Sequence, residues 1–200
     1  MKKTNPFLFF ISFLIVLFAT ACNQQHKKNK GNSVSPSATA RPGTSQSQSA
    51  EKLYERLMSS FGDDWMEREA DPDLYPEYYG GSFVNNTGTF VVTVTRNREE
   101  NKRVLADILG TDNFNVETVQ YSYRQMMLVM DRIDAFLMNN TIAEDHPLMT
   151  RFAGAYPDVM ENRVKVLLTE IDDATIRLFQ KDITNSPLVV FEQGELPVVE

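Results

Sequence analysis

Apolar and polar residues follow three different patterns along the chain. Residues 6–19 are apolar almost throughout, whereas residues 23–50 carry much Ser, Gln, Asn, Pro and Gly and few apolar side chains. From Glu51 onward apolar residues recur at helical or strand spacing, which allows this part of the chain to bury a core. We therefore predict one folded domain over residues 51–200.

Four segments of that domain have the spacing of amphipathic helices, with apolar residues three or four positions apart. The longest begins after Ser122, which is expected to form a capping box with Gln125. A second capping box is predicted between Asn97 and Glu100. The predicted helices span residues 51–61, 98–109, about 123–138 and about 173–183.

Strands are predicted where apolar residues alternate with polar ones. In the stretch Tyr78–Thr95 a polar turn, Asn85–Gly88, separates two such runs and predicts a hairpin. Residues 141–159 contain two prolines and no sustained alternation, so they are predicted to be irregular. The predicted strands span residues 82–84, 89–95, 115–121, 162–170 and 186–195.

The order of these elements predicts the fold class. A strand, a helix and a strand follow one another twice, over residues 89–121 and again over residues 162–195, and the long helix joins the two units. Strands joined through a crossover helix pair in parallel. We therefore predict an α+β fold, ferredoxin-like in character, with a mixed sheet of about four to five strands and helices mainly on one face.

The N-terminal pattern predicts export and lipid attachment. Lys2 and Lys3 precede the apolar run of residues 6–19, and small residues lead to Cys22, the only cysteine of the chain. This arrangement resembles a bacterial lipoprotein signal, in which the peptide is cut before the cysteine and the thiol is acylated. We expect residues 1–21 to be a signal peptide and Cys22 to anchor the protein to membrane lipid in the cell envelope, facing the periplasm or the exterior.

Composition separates a basic tether from an acidic domain. Residues 22–50 lack aromatic side chains and are predicted to be a disordered tether that follows the anchor. Residues 51–200 hold all 27 acidic residues of the chain but only 14 of its 20 basic ones. This balance argues against nucleic acid as a partner, because nucleic-acid binding needs a basic surface.

The hairpin and the later apolar strands resemble a known family. The stretch YYGGSFVNNTGTFVVTVT (Tyr78–Thr95), the strand NRVKVLL (Asn162–Leu168) and the closing Ser186–Glu192 are similar to the pro-region of secreted serine proteases of the α-lytic protease and streptogrisin type. The resemblance covers roughly residues 75–195. The resemblance implies a domain whose sheet packs against a protease and thereby lowers the folding barrier of that protease. It also implies that the C-terminal tail of the domain enters the active-site cleft of the protease.

The resemblance and the composition together predict a binding protein rather than an enzyme. The protease domain that follows in those precursors is not among the 200 residues, and the chain has no Gly-x-Ser-x-Gly elbow or phosphate-binding glycine loop. We expect no cofactor and no metal, and a role as an inhibitor or folding helper of another envelope or secreted protein. The resemblance implies a partner-binding tail formed by Leu196, Pro197, Val198, Val199 and Glu200.

An alternative from another functional class stays open at this point. His146 lies beside Asp145 in the irregular segment 141–159, and Tyr156 follows in the same segment. A pocket between these groups and the sheet would serve a small-ligand-binding or hydrolytic function.

Overall fold

The structure is a computed structural model that describes residues 43–196, with side chains from residue 49 onward. The predicted α+β class is confirmed, because these residues form six α-helices, a short 3₁₀ helix and six strands. The α-helices are α1 (Gly43–Ser59), α2 (Trp65–Ala70), α3 (Arg98–Leu109), α4 (Tyr123–Leu137), α5 (Pro147–Arg151) and α6 (Asp173–Asp182). The strands are β1 (Tyr79–Val84), β2 (Phe90–Val94), β3 (Asn115–Thr118), β4 (Phe152–Asp158), β5 (Arg163–Leu168) and β6 (Val189–Gln193), and the 3₁₀ helix spans Pro72–Leu74.

The first sheet has the strand order β1-β2-β3. β1 and β2 form the predicted antiparallel hairpin, and β2 pairs in parallel with β3 through the crossover helix α3. The turn of the hairpin is held by Asn85, whose Oδ1 accepts hydrogen bonds from the backbone N–H groups of Thr87 (3.1 Å) and Thr89 (3.0 Å). An Asn side chain that bonds to its own turn in this way favours a tight reversal of the chain.

The second sheet has the order β4-β5-β6 and repeats the plan of the first. β4 and β5 are antiparallel, and β5 pairs in parallel with β6 through α6. Even the irregularity is repeated, because the register of the hairpin shifts between Tyr79 and Gly81 in one sheet and between Phe152 and Gly154 in the other. Each half of the domain is therefore a hairpin extended by a parallel crossover strand.

The strands form two separate sheets, whereas the sequence predicted a single mixed sheet. The two predicted βαβ units and the long helix between them are present, but the strands form two sheets of three. The reason is β4, which lies in the segment 141–159 that was predicted to be irregular. Gly154 and Pro157 interrupt its apolar pattern, and Pro157 is tolerated because β4 is an edge strand. Pairing with β5, rather than local propensity, makes this segment a strand.

Helix α1 begins earlier than the sequence predicted. It starts at Gly43 rather than near Glu51, so residues 43–50, which were assigned to the tether, are helical. Ala50 is buried in the same core as Leu53 and Leu57. Packing of this face stabilises a segment whose Ser, Thr and Gly residues have low helix propensity.

Each sheet has its own hydrophobic core on its helical side. In the first core, side chains of α1 and α3 pack against β2 and β3. In the second core, side chains of α4 and α6 pack against β5, and Phe179 of α6 is fully buried there. The methionine-rich face of α4 is therefore core, since Met126 and Ile133 are both fully buried.

The helix ends agree only in part with the predicted caps. Ser122 and Gln125 form the predicted capping box at α4, and Gly110 ends α3 in the left-handed conformation. Asn97 precedes α3 with a positive φ of 51° and makes no side-chain cap, so the capping box predicted with Glu100 does not form. The side chain of Asn101 instead donates to the backbone oxygen of Arg96 at 2.7 Å.

The two halves meet where the hairpin turn of β4 and β5 contacts β1. Gly81 has a φ of +128°, and a Cβ added to it would lie 2.6 Å from Cγ1 of Val159. Gly80 has a similar steric restriction within the first half, because a Cβ added to it would lie 2.4 Å from Cγ2 of Val119. The two glycines thus allow the backbone of β1 to approach both neighbours more closely than any side chain would permit.

A pair of hydrogen bonds closes the same junction. Asn162 is buried in the left-handed conformation, with a φ of 55°. Its Nδ2 donates to the backbone oxygen of Tyr121, and the Tyr121 N–H donates to its Oδ1, both at 2.8 Å. The guanidinium of Arg163 lies 5.1 Å from the centre of the Tyr121 ring. The connection between β3 and α4 is thereby fixed to the turn of the second hairpin.

An aromatic cluster adds apolar contact across the junction. The ring of Tyr123, at the start of α4, lies 4.7 Å from that of Tyr75 and 5.8 Å from that of Tyr79. Phe61 completes the cluster at 5.0 Å from Tyr79. Burial raises the pKa of Tyr123 and Tyr79 above the ordinary tyrosine value, so both phenols stay neutral at physiological pH.

Comparison of Gly81→Ala with Gly62→Ala should separate the steric effect of the contact with Val159 from the effect of backbone strain. Gly62 is the matched control, because its φ of +134° is similar but the nearest atom to an added Cβ is 3.8 Å away. We expect Gly62→Ala to lower the free energy of unfolding by about 1–2 kcal/mol through strain alone. Gly81→Ala should cost about 2 kcal/mol more, because Val159 must move. Urea unfolding measures both, and equal losses would contradict the close contact.

The substitution Asn162→Gly tests the hydrogen bonds to Tyr121 without changing the backbone preference. Glycine tolerates the left-handed conformation, so the loss of about 1–3 kcal/mol that we expect comes from the unpaired backbone groups of Tyr121. Asn97→Gly is the control, since Asn97 has a similar φ and no cap bond. It should change the free energy of unfolding by less than about 0.5 kcal/mol. Thermal and urea unfolding measure both variants. If Asn162→Gly and Asn97→Gly lower the free energy of unfolding by the same amount, the proposed role of Asn162 is refuted.

Candidate functional site

The second sheet has one face in the core and a second face that is partly open to solvent. Alternation along β5 places Val164, Val166 and Leu168 in the core, so Arg163, Lys165 and Leu167 point to the opposite side. We call that side the outer face; its further members, by register, are Gly154, Tyr156 and Asp158 of β4 and Val190 and Glu192 of β6.

The outer face is centred on a lysine that two carboxylates hold in place. Lys165 Nζ lies 2.5 Å from Oε2 of Glu161 and 2.5 Å from Oε1 of Glu192, and its side chain is only 5% exposed. The hydrogen bonds that Lys165 donates to Glu161 and Glu192 raise its pKa above the ordinary value, so the ammonium stays charged at physiological pH. Tyr156, the partner of Lys165 across β4, is 43% exposed and offers an aromatic ring beside this charged group.

Strand β6 provides a free edge for the second sheet. The Val164 N–H donates to Leu188 O, and the Gly194 N–H donates to Leu168 O, so the even-numbered residues of β6 face β5. By alternation, the backbone N–H and C=O groups of Phe191 and Gln193 point away from the sheet. No other strand within residues 43–196 pairs with this edge. The edge can therefore accept a strand from another molecule.

The chain leaves β6 close to the outer face. A Cβ added to Gly194 would lie 2.7 Å from Cβ of Leu167 and 3.1 Å from Cβ of Ala153. The predicted partner-binding tail begins two residues later with Leu196, which is 51% exposed. Its other members, Pro197, Val198, Val199 and Glu200, lie outside the described residues. The free edge, the outer face and the start of the tail are thus adjacent in the structure.

The alternative site near residues 141–159 does not form as a pocket of convergent groups. His146 caps α5, where its Nδ1 accepts from the Leu148 N–H at 3.2 Å. Its Nε2 lies 3.5 Å from Oδ2 of Asp182, and its ring packs on Phe136. The histidine therefore joins α5 to α4 and α6 on the helical side of the second sheet. Tyr156 lies on the outer face, and Asp145 is exposed.

Residues 43–196 hold neither a cluster of metal-ligating side chains nor a membrane-spanning helix. There, no group of three or more His, Cys, Asp or Glu side chains is placed to hold a metal ion. No helix between residues 43 and 196 is long and apolar enough to cross a bilayer. Cys22, the predicted lipidation site, lies before the described residues, as do the signal peptide and most of the predicted tether.

Comparison with known families divides the chain at the same place as the structure. Residues 39–119 match a family model described as a Pro-like N-terminal domain, and residues 124–194 match one described as a Pro-like C-terminal domain. The first match contains α1 to β3, and the second contains all of α4 except its first residue and continues to β6. No curated protein matches the chain.

These two matches support the pro-region resemblance at a coarse level. Each half of the domain is similar to a Pro-like domain, a description that fits a pro-region-like, non-catalytic protein. Tyr121, the residue that Asn162 binds across the junction, lies between the two matched regions. Sequence reasoning identified the strands on which the resemblance depends, but it did not identify Lys165, the free edge of β6 or the outer face. The alternation in NRVKVLL was the available signal for Lys165, since it placed that residue opposite the core.

Proposed function

We propose that this protein binds another protein through the second sheet and acts as a stand-alone, pro-region-like inhibitor or folding helper of a secreted serine protease. The single observation that carries the proposal is the free edge of β6 beside a partly open sheet face. Support also comes from the match of this half of the chain to a Pro-like C-terminal domain. The finer role, inhibition or assistance of folding, follows from the resemblance to protease pro-regions.

In this proposal a strand of the partner adds to the edge of β6. The outward N–H and C=O groups of Phe191 and Gln193 would bond to the backbone of the added strand. Side chains of that strand would then lie beside Val190 and Glu192 on the outer face. Backbone pairing supplies affinity in such complexes, whereas the side-chain contacts select the partner.

The C-terminal tail extends this interaction beyond the sheet. Leu196 is exposed and lies three residues after the end of β6, and the residues after it include Pro197 and two valines. An apolar, proline-containing sequence of this kind suits the substrate cleft of a protease, where it would bind in an extended form. The tail would occupy the cleft while the sheet holds the body of the partner.

The expected lipid anchor would confine this activity to the cell envelope. Acylated Cys22 would hold the protein on the membrane, and the basic residues Lys27, Lys28 and Lys30 would lie against anionic headgroups. The acidic domain would be repelled from the same surface and remain available to partners. Anchoring thus gives the binding domain a fixed location without changing its chemistry.

Gln193→Pro tests whether the edge of β6 binds the partner. Proline removes an N–H that points away from β5, so the pairing within the sheet is retained. The full-length chain in detergent should slow at least one secreted serine protease or speed its refolding, and Gln193→Pro should weaken that effect by about tenfold or more. The measurements are protease inhibition and recovery of protease activity after dilution from denaturant.

Gln193→Ala is the control for this experiment. Both substitutions remove the hydrogen bond from Gln193 Nε2 to Thr169 O, at 2.6 Å, but only proline removes the outward N–H. The alanine variant should keep the effect on the protease. If the two variants behave alike, the edge is not the contact surface; if the unaltered chain affects no protease, the proposed function is lost.

A further inference from the structure

A cleft lined by residues outside the second sheet has no role in the proposed protease interaction. It has a volume of about 390 Å³ and lies where β2 ends, where β3 leads into α4, and along the first two turns of α4. Ligands of α/β folds commonly bind at the carboxyl ends of parallel strands, and β2 and β3 are such a pair. The volume falls within the usual range for small-molecule sites.

The lining of the cleft is rich in hydrogen-bond donors. Arg96, from the end of β2, and Arg124, from α4, contribute guanidinium groups from separate elements. Gln120 and Thr95 add an amide and a hydroxyl. Among the described residues, Glu77 is the one acidic residue of the lining, so the two arginines give the cleft an excess of positive charge on a domain that is acidic as a whole.

Carboxylates hold both arginines in position without enclosing them. Arg96 Nη2 lies 3.2 Å from Oε2 of Glu77, and Arg124 pairs with Asp73. Each acid engages one nitrogen of its guanidinium, and a guanidinium has five N–H donors, so further donors remain for a ligand. The first turn of α4 contributes little more, because Ser122 and Gln125 already cap each other.

One side of the cleft is apolar. Leu128 lines it and is 46% exposed, although it lies on a helix whose other apolar residues are mostly buried. It follows Arg124 by one helical turn, so the two side chains are neighbours on the helix surface. The cleft therefore offers an oxyanion-binding group next to an apolar contact.

We propose that this cleft binds a carboxylate attached to an apolar group, of the kind found at the C-terminal end of a peptide with an apolar last residue. Bidentate guanidinium contacts fit a planar carboxylate, and Leu128 contacts the apolar part. This site is separate from the edge of β6, so it goes beyond the proposed protease interaction and does not depend on it.

Binding of N-acetyl-leucine to the full-length chain in detergent tests this proposal. Titration calorimetry and the shift in melting temperature should detect N-acetyl-leucine, whereas the uncharged N-acetyl-leucinamide should bind about tenfold more weakly or not at all. Inorganic phosphate should also bind more weakly, because it has no apolar group. Equal binding of the amide, or binding of phosphate as tight as that of N-acetyl-leucine, would overturn the proposal.

Substitutions locate the binding in the cleft. Arg124→Gln and Arg96→Gln should each weaken N-acetyl-leucine binding by about tenfold, and Arg96 is exposed enough that its replacement leaves folding intact. Arg98→Gln is the control, since Arg98 is exposed at the start of α3 and does not line the cleft. Gln193→Pro should also leave this binding unchanged. Loss of binding in the Arg98 control, or its retention in both cleft variants, would contradict the site.

Discussion

The close approach of the two halves at Gly81 is the constraint on which the rest of the structure depends. β1 can lie against Val159 of the second half, and against Val119 of its own half, only because Gly81 and Gly80 carry no side chain. The paired hydrogen bonds between Asn162 and Tyr121 then fix the direction in which the chain enters α4. Since α4 covers the core side of the second sheet, the same contact determines which face of that sheet remains open to solvent.

Repetition of one motif explains why the domain has two sheets. Both halves carry a hairpin with a register shift after an aromatic residue, followed by a parallel crossover strand. Each central strand already has a partner on both sides, so the halves join through glycine contacts and hydrogen bonds rather than through a shared sheet. This arrangement leaves the edge of β6 without a partner among residues 43–196.

The sequence alone was sufficient to predict those elements that neighbouring residues encode. The Ser122–Gln125 capping box, the Asn85–Gly88 turn and the two parallel crossovers are encoded by neighbouring residues and were predicted correctly. β4 and the first turns of α1 were missed because distant contacts stabilise them. The capping box predicted at Asn97 was wrong because Asn97 has a left-handed backbone, whereas an N-cap residue that bonds to the first turn has an extended one. The site depends even more on tertiary structure, since Lys165, Glu161 and Glu192 are brought together by the turn and by strand pairing.

We propose the edge of β6 as the surface to which a partner strand binds. Amide hydrogen exchange, measured residue by residue on the full-length chain with and without a protease that it slows, tests this most directly. Without the partner, the outward N–H groups of Phe191 and Gln193 should exchange faster than those of Val190 and Glu192, which face β5. Adding the partner should protect Phe191 and Gln193 selectively. If the protein binds the protease and these two amides exchange as fast as before, the edge is not the binding surface and the account is wrong.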